Sequence, residues 1–195
     1  MTLDGTVDSS PIYVHGLFVV TTTYGRTEAI DAASGAVRWR FTPPGYASLA
    51  GSGQITTATP VADPSEKWIY AASPGGRIYK LSAASGHPAW SVTITTLPSR
   101  EKIAGALNLA SGHVIAVTGG YIGDTPPYQG HVAVIDAASG RLLHVWNSLC
   151  SNRAGLIVPS TCDASDSAIW GRSGAVVDPS TGDLLIATGN APWNG

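Results

Sequence analysis

The sequence predicts an all-β fold built from repeated four-stranded antiparallel units. Three observations support this prediction: a segment that returns twice along the chain, a composition rich in turn-forming and strand-forming residues, and a scarcity of charge. The 195 residues include 23 glycines and 13 prolines, and only 12% of them are charged. Many short strands joined by tight turns have this composition. We therefore expect the apolar residues, 44% of the chain, to be buried in sheets.

The repeated segment consists of a strand, a Ser-Gly turn and a second strand that ends in tryptophan. Its first copy runs from Ala29 to Trp39, and its second runs from Lys80 to Trp90, 51 residues later. A third copy follows 54 residues further on, with Trp146 two places later than the register requires. Glycine in the turn is free to adopt the positive φ that a tight hairpin needs. Each copy therefore predicts a β-hairpin.

Two strand-like runs precede each copy, so each unit has four predicted strands. These runs cover residues 10–14 and 17–22, then 57–62 and 68–72, then 104–109 and 113–117, and a fourth unit starts with 174–177 and 183–188. Four-stranded units of about 50 residues are typical of β-propellers, which usually need four to eight blades to close. We therefore expect one partial β-propeller domain over residues 1–195 that belongs to a larger ring. Its predicted parts are blade 1 (about 7–42), blade 2 (about 55–95), blade 3 (about 103–147), an inter-blade loop (148–169) and half of blade 4 (about 170–195).

The inter-blade loop contains both cysteines of the chain, Cys150 and Cys162. A disulfide between them would close a short loop, which chain-entropy estimates value at roughly 3 kcal/mol. Such a bond persists only in an oxidising compartment. The alternative is two unpaired, half-buried thiols. We favour the disulfide, because the sequence offers neither cysteine another partner.

Charge and hydropathy exclude several classes of partner. The net charge is −2, so no basic field would attract nucleic acid, and we expect none as a partner. No apolar run approaches the roughly 18 to 20 residues of a membrane helix, so membrane insertion is not expected. The first residues carry neither the basic nor the apolar region of an export signal. The histidines fall at turns or strand ends and are expected at the surface: His15, His87, His113, His131 and His144.

The pattern Ala-x-Asp-x-x-Ser-Gly-x-x-x-Trp, complete in the first copy, resembles the tryptophan-docking motif of the pyrroloquinoline-quinone (PQQ) propeller repeats. The resemblance implies that the tryptophan of one blade packs across the next blade, while the aspartate and glycine fix the hairpin. In the second copy, Ser82 replaces the aspartate and Lys80 replaces the leading alanine. The docking residues that the resemblance implies are Asp31, Gly35, Trp39, Gly86, Trp90, Asp136, Gly140 and Trp146.

The last segment of the chain resembles the cofactor site of the quinoprotein alcohol dehydrogenases in this family. In those enzymes a tryptophan stacks on the quinone plane, and an asparagine in a Thr-Gly-Asn turn helps to bind Ca²⁺. The resemblance implies Trp170 as the quinone platform and Asn190 as a calcium ligand, since Ca²⁺ favours oxygen donors. Arg172 occupies the position at which the family's spacing places the stacking ring, and it is a second candidate for cofactor contact. The catalytic aspartate of the family would lie beyond residue 195, so the catalytic residue is unknown.

Two functions are compatible with the resemblance. The first is part of an exported quinoprotein dehydrogenase-like protein, periplasmic or extracellular, with an incomplete or degenerate site for PQQ and calcium. The second is a non-catalytic extracytoplasmic propeller that binds a protein or polymer, a function favoured by the missing carboxylates and the tryptophan spacing. The expected partners are the remaining blades of the full-length chain and either a small alcohol or a protein. These 195 residues alone are expected to be inactive.

Overall fold

The computed structural model describes residues 2–3 and 5–189, which form almost entirely antiparallel strands. Three sheets follow one another along the chain, and the strands within each are neighbours in sequence order. The first sheet contains β1 (Ile12–Val14), β2 (Leu17–Thr21), β3 (Thr27–Asp31) and β4 (Val37–Phe41). The second contains β5 (Val61–Ala62), β6 (Trp68–Ser73), β7 (Arg77–Ser82) and β8 (Pro88–Thr93).

The third sheet has the same order with an interrupted first strand. It contains β9 (Lys102–Ile103), β10 (Asn108–Ala110), β11 (His113–Gly119), β12 (His131–Asp136) and β13 (Leu142–Asn147), and both β9 and β10 pair with β11. A two-stranded sheet follows, made of β14 (Val176–Val177) and β15 (Leu184–Leu185). The helical elements among the described residues are α1 (Tyr46–Leu49) and a 3₁₀ turn (Pro159–Thr161). No helix of the described part of the chain is long and apolar enough to cross a membrane.

The sheets pack face to face, which is why their middle strands are buried on both sides. All but the first residue of β6 and β11 is buried, although side chains alternate between the two faces of a strand. One apolar core joins the first sheet to the second, a second core joins the second sheet to the third, and a third joins the third sheet to the two-stranded one. This arrangement is that of consecutive propeller blades, as the sequence predicts.

The innermost strands are shorter than predicted, because part of their hydrogen bonding goes to neighbouring blades. The predicted strand 104–109 is a strand only from residue 108. The amide of Leu107 donates to the carbonyl of Thr59 in the second blade (2.9 Å), and the amide of Ala106 donates to the carbonyl of Arg172 beyond the third blade (3.0 Å). These bonds satisfy buried backbone groups that a regular strand would use within its own sheet.

The three repeated turns have one shape. Their glycines have φ values of 71° at Gly35, 72° at Gly86 and 75° at Gly140, which favour glycine over other residues. In the first turn the carboxylate of Asp31 accepts hydrogen bonds from the backbone and hydroxyl of Ser34 (2.8 and 2.7 Å). Arg38 and Ser34 together hold the pKa of Asp31 well below its ordinary value. The aspartate therefore fixes the hairpin from its own side of the turn.

The predicted disulfide between Cys150 and Cys162 is formed, with 6.2 Å between the two Cα atoms. It closes a loop within the connection between β13 and β14, and we call residues 148–167 of that connection the disulfide segment. In an antiparallel meander, this connection lies at the same end as the loop between β11 and β12. That end, the loop face, also carries the long connection between β4 and β5, which contains α1.

Candidate functional site

The first inter-blade contact joins Trp39 to the turn of the second blade. Its indole Nε1 donates to the carbonyl of Ala83 at 2.8 Å, and only 8% of the residue remains exposed. The ring lies flat on Gly86, where an added Cβ would be 2.5 Å from a ring carbon. The space above this glycine is therefore filled by the tryptophan of the preceding blade.

The second contact repeats this geometry with more donors. Trp90 packs on Gly140, where an added Cβ would be 2.6 Å from the ring, and its Nε1 donates to the carbonyl of Ala137 at 3.3 Å. The same carbonyl accepts from Lys80 Nζ at 2.9 Å and from the Tyr70 hydroxyl at 3.2 Å. Lys80 is thus a third donor in this interface. The lysine that replaces the motif's alanine therefore stabilises the contact between the second and third blades.

The aromatic surroundings of Lys80 explain how its charge is accommodated. Its Nζ lies 4.6 Å from the ring centre of Trp68 and 5.9 Å from that of Tyr70. Only 9% of the residue is exposed. Aromatic faces attract an ammonium group and partly compensate for the water it loses on burial.

The third blade places a different residue at the docking position. His144 pairs across the sheet with Val134, as Trp39 pairs with Ala29 in the first blade, and Trp146 lies two residue pairs further on, opposite Val132. Trp146 is 42% exposed. An apolar groove of about 420 Å³ next to it is lined by Val132, Val134, His144, Trp146, Leu184 and Ile186.

Near the propeller axis, Arg172 reaches back to the start of the first blade. Its guanidinium donates to the carbonyl of Asp8 at 2.9 Å and to the carboxylate of the same residue at 3.0 Å. Lys102 on β9 adds a second cation. Burial lowers the pKa of Lys102, the nearby Arg172 lowers it further, and Asp8 and Asp124 oppose this. The inner segments of the first, third and fourth blades therefore present charged groups to one another.

The two candidate cofactor segments meet at the end of the described chain. The backbone of Gly189 donates to the carbonyl of Ala168 at 2.9 Å, which holds Gly189 beside Trp170. The indole nitrogen of Trp170 would be 3.3 Å from a Cβ added at Gly189, and the tryptophan is 40% exposed. Asn190, the predicted calcium ligand, lies outside the described residues.

A buried polar cluster on the loop face was not predicted. Glu101 lies between Thr95, whose hydroxyl donates to the carboxylate, and Gln129, whose backbone amide donates to it at 3.0 Å. His131 Nδ1 is 4.0 Å from the same carboxylate. His131 is only 3% exposed, so the expectation that the histidines lie at the surface is wrong for this residue. It is the first residue of β12, and its neighbours in sequence carry no signal that separates a buried histidine from an exposed one.

Comparison with known proteins places these blades in a family. The family model described as "Outer membrane protein assembly factor BamB" matches residues 25–192, a range that contains all three docking turns. The chain belongs to this family of PQQ-type propeller repeats. The Trp39 and Trp90 contacts therefore belong to a PQQ-type propeller.

Relatives of this PQQ-type propeller are of two kinds. The chain is 26% identical over 217 residues to an alcohol dehydrogenase (quinone), dehydrogenase subunit, of Acetobacter aceti, covering 96% of this chain and 28% of that protein. It is 27% identical over 198 residues to the outer membrane protein assembly factor BamB of Burkholderia pseudomallei, covering 98% of this chain and 45% of that protein. The chain thus spans between 28% and 45% of the length of these relatives.

Solved structures show the same fold. The crystal structure of quinohemoprotein alcohol dehydrogenase from Comamonas testosteroni superposes with a TM-score of 0.74 at 20% identity. The superposition covers 96% of this chain and 30% of that one.

The described residues of the PQQ-type propeller do not by themselves form a cluster that could hold calcium. Calcium needs six to eight oxygen ligands, with carboxylates among them. Within residues 2–3 and 5–189, no group of three or more histidine, cysteine, aspartate or glutamate side chains is arranged to hold a metal ion. Arg172, for which the sequence resemblance implies the stacking position, is bonded to Asp8. The candidate cofactor residues that the structure describes are therefore the partly exposed ring of Trp170 and an arginine that is paired with Asp8.

Proposed function

We propose that this chain is part of an exported PQQ-type propeller whose axial site for quinone and calcium is degenerate. The observation that carries the proposal is that the Arg172 guanidinium donates two hydrogen bonds to Asp8, because the family's spacing implies a stacking ring at the position of Arg172. The pairing with Asp8 ties this guanidinium to the first blade, and a guanidinium offers a quinone a small charged face in place of a broad aromatic ring. We expect no dehydrogenase turnover that depends on these residues.

The extracytoplasmic location rests on the disulfide and on the relatives. Cys150 and Cys162 form a bond that cytosolic reductants would break. The named relatives include an outer membrane assembly factor and a quinone-dependent alcohol dehydrogenase. We place the protein in the periplasm or outside the cell for these two reasons.

A non-catalytic scaffold is the second candidate function. It is favoured by the loop face, where the connection with α1 and the disulfide segment project from the same end of the blades. In repeat proteins, insertions on one face often form the binding face. A propeller with a degenerate axis would then use its loops to bind a protein or polymer.

Titration of the full-length protein with PQQ, with and without Ca²⁺, tests the proposal. Tryptophan fluorescence reports the binding, and the expected result is no saturable change up to high micromolar quinone. Stoichiometric quenching that requires Ca²⁺ would overturn the proposed degeneracy. Loss of that quenching in Asn190→Ala, with retention in the exposed control Asn152→Ala, would assign the site to this chain.

A further inference from the structure

Glu101 and His131 form a buried acid and base pair on the loop face. Their side chains are 2% and 4% exposed, and 4.0 Å separates Glu101 Oε1 from His131 Nδ1. Glu101 belongs to the connection between the second and third blades, whereas His131 begins β12. Two buried ionisable groups at this distance can influence each other's protonation.

The hydrogen bonds of His131 allow two self-consistent proton arrangements. Nε2 must donate to the carbonyl of Ile94, 2.6 Å away, because a carbonyl only accepts. Nδ1 is 3.0 Å from the hydroxyl of Thr118, which is also 2.9 Å from the carbonyl of Gln129. A neutral imidazole accepts a hydrogen bond at Nδ1 from the hydroxyl of Thr118. A protonated imidazole donates to Thr118 instead, and Thr118 then donates to Gln129.

One proton is common to both arrangements. Either Glu101 is a neutral acid beside a neutral His131, or the carboxylate faces an imidazolium. Removal of this proton leaves a buried carboxylate without a cation, and addition of a second proton leaves a buried imidazolium without an anion. Both are costly, because the charged form of an unpaired buried group loses its hydration.

Gln129 connects this pair to the disulfide segment. Its backbone amide donates to Glu101 Oε1 at 3.0 Å. Its side-chain oxygen accepts from the amide of Leu149 at 3.3 Å, and its side-chain nitrogen lies 3.7 Å from the sulfur of Cys150. Gln129 is fully buried and contacts both groups. A change in the charge of the Glu101 carboxylate therefore alters the contacts that Gln129 makes with the disulfide segment.

The surrounding charges do not compensate the pair. None of the other charged or titratable side chains on the packed segments is within ion-pair distance of Glu101 or His131, as far as the structure describes the chain. Those side chains are Arg100, Lys102, Tyr121, Asp124, Tyr128, Arg153, Asp163 and Asp166.

We propose that Glu101 and His131 jointly hold one proton, and that this proton keeps the disulfide segment closed over the loop face within a window of pH. The loop face is therefore sensitive to pH. Outside the window, three parts of the loop face separate from one another: residues 94–101, the loop before β12 and the disulfide segment. Within the window they are held together through Gln129.

The limits of the window follow from two opposed titrations. Burial raises the pKa of Glu101 from 4.5 to about 7, so its neutral form contributes stability at low pH that is lost as the pH rises to about 7. Burial lowers the pKa of His131 from 6.5 to about 4, so its neutral form contributes stability at higher pH that is lost as the pH falls to about 4. Between about 4.5 and 6.5 the two effects offset one another, and the intact pair shows little net dependence on pH.

Single substitutions in the full-length protein allow the pH dependence of Glu101 and of His131 to be measured separately. In His131→Gln, Glu101 titrates alone. Because its pKa is raised in the folded state, the equilibrium constant for folding should fall by up to roughly 300-fold between pH 4.5 and pH 7. In Glu101→Gln, His131 titrates alone. Because its pKa is lowered in the folded state, the equilibrium constant for folding should rise by a similar factor between pH 4 and pH 6.5. Denaturant unfolding at several pH values measures both slopes, and the wild type should lie between them with a flat profile.

An exposed pair on the opposite face supplies the matched control. His15 and Glu66 are 3.3 Å apart with side chains 66% and 45% exposed, so Glu66→Gln should leave the wild-type profile unchanged. Amide protection factors at residues 129 and 149–150, corrected for the intrinsic pH dependence of exchange, should fall above pH 7 in the wild type but not in Glu101→Gln.

Parallel pH profiles of wild type and both variants would overturn the proposal. NMR titration of the wild type provides a test that needs no variant. The imidazole of His131 should remain unchanged between pH 4.5 and 6.5, and a midpoint near 6.5 would contradict a shared proton.

Discussion

The first and second inter-blade contacts use one geometry with two kinds of side chain. In both, a tryptophan packs on a turn glycine and donates to the carbonyl of an alanine. In the first contact, apolar Leu17, Val19 and Ala29 occupy the positions around the tryptophan. In the second contact, the positions 51 residues later hold Trp68, Tyr70 and Lys80. The docking of blades thus depends on the tryptophan and the carbonyl, while the surrounding residues change in concert from apolar to aromatic and cationic.

The largest expected effect comes from placing the cation of the second contact in the first. Ala29 is fully buried and is the equivalent of Lys80, but Leu17 and Val19 offer no aromatic face. Ala29→Lys should lower the free energy of unfolding by about 3 to 5 kcal/mol, because it buries an uncompensated charge in a tight site. Denaturant unfolding measures the loss. A loss below about 1 kcal/mol would show that the aromatic rings are not needed to bury a lysine here.

Turn glycines should be the next most sensitive positions. Gly86→Ala adds a Cβ against the Trp39 ring at a φ of 72° and should cost about 2 to 4 kcal/mol through strain and displacement of the ring. Gly16, at a φ of 78° with nothing within 4 Å of an added Cβ, is the matched control for strain alone. Gly16→Ala should cost about 1 kcal/mol. Equal losses in thermal or denaturant unfolding would mean that the tryptophan contact contributes nothing.

Loss of the lysine charge should have a smaller effect. Lys80→Met keeps most of the side-chain volume but removes one of the three donors to the Ala137 carbonyl and the cation over Trp68. We expect a loss of about 1 kcal/mol, since Tyr70 and Trp90 still satisfy the carbonyl. An increase in the free energy of unfolding would show that burial of the ammonium costs more free energy than its contacts contribute.

The repeat predicts the fold from sequence because turn chemistry and strand alternation are local. The spacing of the Ser-Gly turns gives the blades, and the position of the cysteines gives the disulfide. Contacts between segments far apart in sequence have no such signature. The hydrogen bonds from Arg172 to Asp8 span 164 residues, and Glu101 approaches His131 only because two loops meet. These contacts at the axis and on the loop face, where side chains from different blades converge, therefore could not be predicted from the sequence.

Replacement of each docking tryptophan by phenylalanine, which removes the indole donor, tests the docking geometry most directly. Trp39→Phe leaves the buried carbonyl of Ala83 without its indole donor, whereas Trp90→Phe leaves the carbonyl of Ala137 with Lys80 and Tyr70. Denaturant unfolding of the full-length variants should show a loss of about 1 to 3 kcal/mol for Trp39→Phe. Trp90→Phe should lose at least 1 kcal/mol less. Equal losses, or a larger loss for Trp90→Phe, would contradict the conclusion that the second contact has replaced apolar packing with additional donors.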